Sequence, residues 1–485
     1  MARNREARFD LRGGANLSHT QDVLDRTELR ESKNARSGEY GGVEDRTGNQ
    51  RIHTNAIGGG APILGLKQWI PTAGRQVVAI ANGNLYHKLA SADEFTEHSA
   101  VFSTSIRPDF EAHRIGGDPR LFIADGTLQV WDGSSLSVVS GAPAARQIAV
   151  YKTRLFAIED DKWLYASATD NPTEWSTTNG AILAPVETYS AEPLKAIEPV
   201  GSSLLLFKPN SIARFTGVSA QDIRLDQETE GISADIGAIA PGTVLRMEEV
   251  VFFLSDRGPY VASEAGVQAI GQKVEPAFDE AEMDHMPNAV ATHHKARREI
   301  WIFFPENTQT ENTVGWCFNY RLGAWHGPWE IQGYNICSAA EFEREDRTEN
   351  VILGGYDGRV RLGDEPGVGT RDDVLVDGTG GHPVTMTLTF PDLVFGDPTA
   401  MKRMPMPQQI SADMGEAGHL RVSFQGDRFR KRTRTLHTKG PGLDQYLVRP
   451  GTTGRRIRME LENQTHEIVQ VNAVLLEAEL GRRVV

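Results

Sequence analysis

Between residues 61 and 376 one phrase keeps returning: an apolar strand, a tight turn, then a second strand that carries an aromatic. The copies are "RQVVAIANGNLYHKL", "PRLFIADGTLQVWDG", "TRLFAIEDDKWLYAS", "SSLLLFKPNSIARFTG", "EVVFFLSDRGPYVAS" and "NVILGGYDGRVRLGD". A diverged copy with a longer loop is "EIWIFFPENTQTENTVGWCFNYRLGAWHG". The turns fall near Asn82, Asp125, Asp160, Asn210, Asp256, Asn312 and Asp357, about 46 residues apart on average, which is the step of a propeller blade. Asn-Gly and Asp-Gly pairs supply the positive φ angles that tight hairpins need. One hairpin cannot bury both of its apolar faces, whereas blades stacked around an axis bury them against each other. The reading is a mainly β chain with a β-propeller of about six to eight blades. A series of sandwich strands also gives strand–turn–strand phrases, but at spacings of roughly 8–12 residues.

The flanks differ from this middle. Residues 1–60 are polar, Arg-rich and Gly-punctuated, and read as an extended arm that packs on something else. Phe9, Leu11, Leu17 and Tyr40 favour docking, and a thin apolar face over 21–34 allows a helix there. The propeller is assigned to 61–376. The stretch "GDEPGVGTRDDVLVDGTGGHP" reads as a linker, because it is rich in Gly and Asp. Residues 377–485 alternate again in "VTMTLTFPDLVF", "HLRVSFQG" and "RRIRMELENQ", so four to seven strands are expected in a C-terminal β-sandwich.

Composition narrows the function classes. The formal net charge of −14 argues against a protein whose whole surface grips nucleic acid, while leaving room for a basic patch. Two cysteines in 485 residues, Cys317 and Cys337, make no disulfide framework. No apolar run approaches the roughly 20 residues of a membrane helix, and "MARNREARFDLRGG" lacks the apolar core of a secretory signal.

Several constellations invite chemistry, and each has a plainer explanation. "GGG" at 58–60 lacks the strand–helix setting of a dinucleotide site. Asp279, Glu280, Glu282, Asp284, His285, His293 and His294 offer metal donors, but read more simply as a solvated loop between blades. Asp125, Asp132, Asp160, Asp161, Asp256 and Asp357 suit acid/base work around a channel, yet Asp also caps tight turns. Trp316, Trp325 and Trp329 offer faces for a sugar, or wedges between blades. The strongest charge run is "GDRFRKRTRTLHTKG": strand alternation puts Arg428, Arg430, Arg432 and Arg434 on one face, able to meet DNA phosphates or an acidic subunit, or simply to guard a strand edge. No cofactor, metal or catalytic set is expected.

The phrase "GGANLSHTQDVLDRTELRESKNARSGEYGGVEDRTGNQRI" resembles the opening of the tail nozzle, or packaged-DNA stabilisation, proteins of short-tailed bacteriophages. The matching positions are Gly13-Gly14-Ala15-Asn16, Asn34-Ala35-Arg36 and Arg46-Thr47-Gly48, with Ala15 standing where Leu, Ile or Val is expected. "DDKWLYASATDNPTEWS", "CFNYRLGAWHGPWE", "ILGGYDGRVRLGDE" and the final "EAELGRR" are similar to later features of that family. The resemblance implies a structural virion protein of the tail, without catalytic residues. Its subunits form a ring, commonly a hexamer, below the portal and adaptor proteins and in contact with other tail proteins or fibres. The ring extends the channel through which packaged DNA leaves. A second reading is a propeller tail protein that binds or cleaves host-surface glycan, and a third is a protein-binding propeller scaffold.

Overall fold

The computed structural model describes the chain apart from residues 1–3, 20–23, 39–40, 72–73, 188–191, 218–221, 227–231, 396–398, 405–406, 428–429 and 481–485. Seven sheets follow one another along the middle of the sequence. Five are four-stranded and antiparallel, over residues 63–98, 109–138, 147–185, 196–226 and 245–269. The sixth spans 290–330 and the seventh 336–362. The first strand of each sheet packs on the first strand of the next, and Ile336–Glu343 of the seventh packs on Ile63–Trp69 of the first. This is a closed, seven-bladed β-propeller, within the expected range.

The strands form because both of their faces find apolar neighbours. In the second blade Leu121 and Ile123 pack with Val78, Ile80 and Leu85 of the first. Phe122, Ala124 and Leu128 pack with Ile148, Leu155 and Ala157 of the third. Burial on both faces explains why "LFIA" is a continuous apolar run rather than an alternating one. The turns use the expected chemistry: Asn82 and Gly83 both take positive φ, 48° and 77°.

The last sheets are completed by residues from the start of the chain. Gln50–Arg51 pairs antiparallel with Val360–Leu362 as the fourth strand of the seventh blade. Gly14–Ala15 and Glu28–Leu29 extend the sixth blade in parallel. Ring closure therefore joins strands more than 300 residues apart in sequence, which ties the two ends of the propeller together.

The C-terminal segment forms a two-sheet sandwich. One sheet carries Asp444–Val448, Gln408–Asp413, Gln470–Leu480, Lys402–Arg403 and Thr453–Gly454. The arm adds Asn4–Phe9, Val43–Asp45 and Ala35–Ser37 to it. The facing sheet runs Glu31–Lys33, Thr387–Thr389, Ile457–Asn463, His419–Gly426 and Arg432–His437. Met386, Leu388, Ile410, Leu420, Val422, Phe424, Leu461 and Val474 fill the space between them, joined by Phe9, Leu29 and Val43 of the arm.

Three expectations change. No helix forms over 24–34, where Glu28–Leu29 and Glu31–Lys33 are strands held by backbone hydrogen bonds to neighbouring sheets. Among the described residues the segment from 377 on supplies nine strands to the sandwich rather than four to seven, because two-residue strands at its margins are too short to show as alternation. The stretch expected as a linker is partly buried: Asp372 and Asp373 lie inside, bound to the arm.

Candidate interaction surface

Of the four arginines singled out in the sequence, Arg428 lies outside the described residues and Arg430 precedes the strand. Arg432 and Arg434 sit on Arg432–His437, the edge strand of its sheet. Register decides their direction. Arg432 is opposite Phe424, Arg434 opposite Val422, and Leu436 opposite Leu420, so the arginines share the face that packs toward the core. The facing sheet does not cover this edge, and both arginines are exposed. Neither they nor Arg430 have an ion-pair partner among the described residues, whereas Lys431 pairs with Glu460 at 2.8 Å. Inward-pointing charges on an edge strand discourage a foreign strand from extending the sheet. They also leave guanidinium groups free for carboxylates or phosphates. At the same margin, on Asp444–Val448 and the loop before it, Leu447 and Leu443 are 67% and 64% exposed.

A second feature is the cavity of about 1260 Å³ on the propeller axis. Lys67, Asp109, Glu111, Glu198, Arg246, His293 and Glu341 stand around it. Asp109 accepts a hydrogen bond from the Ile148 amide at 2.8 Å and Glu111 one from Val150 at 3.3 Å, so both cap the free inner edge of the third blade. Burial, and then repulsion from Glu111 and Asp109, pushes the Glu198 carboxyl up to about 8. Burial likewise lifts Glu111 to about 7, against the pull of Lys67. Asp109, Glu111 and Glu198 thus form a cluster of carboxyls around the cavity that raise one another's proton affinity.

The other sequence candidates separate. Asp132 accepts hydrogen bonds from the amides and hydroxyls of Ser134 and Ser135, Asp161 from the Trp163 amide, and Asp357 pairs with Arg361; these are turn and anchoring roles. His293 faces Tyr320 and Glu341 while His294 faces Asp364, and Asp279, Glu280, Glu282 and Asp284 lie on the loop ahead of them. No group of three or more His, Cys, Asp or Glu among the described residues is placed to hold a metal ion. Trp316, Trp325 and Trp329 are buried, and the indole N–H groups of Trp325 and Trp329 donate to the carbonyls of Ile270 and Ala35 at 2.7 and 2.6 Å. They are wedges rather than a sugar platform. Cys317 and Cys337 are buried, unpaired thiols.

Sequence reasoning missed the lock that joins arm, propeller and sandwich. Buried Arg36 donates to Glu44 at 2.9 Å, to Asp364 at 2.5 Å and to Thr47 at 2.6 Å. Arg36, Arg297 and His294 together hold the Asp364 carboxyl well below its ordinary range despite burial. Arg46 grips Asp372 through both terminal nitrogens, one at 2.8 Å, and reaches the Glu330 carbonyl. Arg51 and Arg361 share Asp373. Gly48 runs so close to the chain that a Cβ there would overlap the Arg371 carbonyl. Gly14, with φ of 69°, would meet the Trp325 backbone in the same way. The only sequence signal was the spacing of arginines and glycines in the arm.

No family model matches the chain, and no curated protein matches it. Similar solved structures include the N-terminal domain of Nup159, at 10% identity over 69% of this chain and 98% of that one, with a TM-score of 0.40. BBS1N, solved in complex with ARL6DN, shares 10% identity over 66% of this chain and 97% of its own, with a TM-score of 0.43. The WD40 β-propeller domain of Doa1 shares 9% identity over 64% and 96%, with a TM-score of 0.38. The likeness is one of propeller fold alone.

Proposed function

We propose that this protein is a structural subunit of a bacteriophage tail, a nozzle or tail accessory hub. Copies form a ring, a hexamer by the family resemblance, below the portal and adaptor; the ring extends the DNA channel, retains packaged DNA and passes it on ejection. The observation that carries this reading is the arm. Residues 4–51 supply strands to the sixth blade, the seventh blade and both sandwich sheets, and are pinned by buried arginine–carboxylate pairs. Removing one partner of such a pair costs about 3–5 kcal/mol, so the arm is held firmly to both propeller and sandwich. A subunit that bears the pressure of packaged DNA needs such anchoring. The pinning positions Gly14, Arg36, Arg46 and Gly48 also fall within the phrases that carry the resemblance. The net charge of −14 suits a lumen that DNA slides past rather than grips. The test is negative-stain imaging of the purified protein and mass spectrometry of virions. Ring-shaped class averages and the chain in mature particles are expected; a persistent monomer absent from particles refutes the proposal.

A further inference from the structure

Charge is distributed unevenly along this chain. Residues 427–458 hold ten Lys and Arg against two Asp, a balance of +8, so the remainder carries −22. The positive stretch includes the margin formed by Arg432–His437 and Asp444–Val448, with Arg430, Arg432 and Arg434 without an ion-pair partner among the described residues and Leu443 and Leu447 exposed. A complementary surface stands on the propeller. The loop between the fifth and sixth blades presents Asp279, Glu280, Glu282 and Asp284 around Met283, which is 45% exposed. None of these four carboxylates has an ion-pair partner among the described residues. Ala281 bridges to Glu306 on the neighbouring hairpin, whose carboxyl is raised by burial and then by the like charges of Glu280 and Glu330.

The two surfaces cannot meet within one molecule. In the five-stranded sandwich sheet Glu31–Lys33 is the edge beside the sixth blade, and Arg432–His437 is the opposite edge. Four strand spacings, roughly 19 Å, separate them. The arginine edge therefore looks away from the propeller that carries the acidic loop.

We propose that the basic sandwich margin of one copy docks on the acidic 279–284 loop of a second copy, with Leu443 and Leu447 meeting Met283 between the charges. The occupant is a second copy because it brings both the missing charge and the matching apolar patch. The contact is made by side chains, since the inward arginines block strand addition. Each copy offers one of each surface, so the interface is heterologous, and such contacts generate rings when the rotation closes. The inference rests on the ring reading above and names the surfaces that would build it.

The test uses two charge-reversal variants, R432E/R434E and D279R/D284R, in sedimentation velocity at low and high salt. Wild-type association should weaken at least tenfold between 0.05 and 0.5 M salt, on the order expected for exposed charge pairs. Each variant alone should associate at least tenfold more weakly than wild type. Mixed one to one, they should assemble again, because every contact in an alternating ring is then complementary. Far-UV circular dichroism checks folding, and R432Q/R434Q repeats the test without reversal. Rings of wild type that neither variant weakens, or a mixture that stays dissociated, overturn this interface and leave the ring reading standing. A wild type that remains monomeric at low salt overturns both.

Discussion

Asp45 offers the sharpest test of how the arm is held. It lies at the end of the arm strand Val43–Asp45, 1% exposed, and one of its oxygens accepts hydrogen bonds from the Val469 amide at 2.9 Å and Asn463 at 2.8 Å. The other oxygen has no hydrogen-bond partner among the described residues. Burial pushes the carboxyl up to about 8 from an ordinary value near 3.8, and the two hydrogen bonds only partly oppose it. A folded-state pKa above the unfolded one means that the group favours the fold fully below about pH 4 and loses that contribution as pH rises through 8. Each unit is worth about 1.4 kcal/mol, so at pH 7 the carboxyl costs the fold on the order of 4 kcal/mol. Asp45→Asn keeps the acceptor for Val469 and Asn463 and removes the titration. Its amide places a donor where the protonated acid already has one, so that cost cancels. The variant should match wild type near pH 4, become more stable by several kcal/mol between pH 4 and 8, and hold that lead above 8. Thermal melts of both proteins across this range, with hydrogen exchange at the Val469 amide, measure it. A stability difference that does not change with pH, or a variant weaker than wild type at pH 8, would refute the reasoning.

Further outcomes follow from the same lock and channel. Arg46→Ala leaves Asp372 buried without its cation and should cost about 3–5 kcal/mol, seen as early proteolytic release of the arm. Gly48→Ala drives a methyl into the Arg371 carbonyl and should lower the melting temperature far more than Gly367→Ala, at an exposed glycine whose added methyl meets only the Glu365 carboxylate at an ordinary 3.7 Å. Trp325→Ala empties a buried site between the fifth and sixth blades and should cost about 3–5 kcal/mol in denaturant titrations. Glu198→Gln should raise the melting temperature at pH 9 and change little at pH 5, because the carboxyl it replaces is already raised to about 8.

The propeller was legible because its signals are local. Apolar runs such as Leu121–Ala124 and turn pairs such as Asn82-Gly83 act over a few residues, and a strand needs only its neighbours in sequence to declare itself. Two-residue strands such as Lys402–Arg403 and Gln50–Arg51 carry no period to read, and appear only once a partner strand fixes them. The arginine stripe lay between these cases. Alternation foresaw that Arg432 and Arg434 share a face, but register against Val422 and Phe424 turned that face toward the core side. The tryptophans were equally ambiguous until neighbouring blades covered them.

By itself the amino-acid order determined the strand period, the repeat of the hairpins and the separation of charge between the sandwich and the rest, since each is written in adjacent or regularly spaced residues. Tertiary structure alone decided that the arm closes the seventh blade, that Arg36, Arg46 and Arg361 are buried against Asp364, Asp372 and Asp373, and that the exposed Arg432 and Arg434 lie on the sheet edge opposite the one beside the sixth blade. Burial and pairing depend on which distant segments share a volume, and an arginine reads the same in sequence whether water or a carboxylate surrounds it.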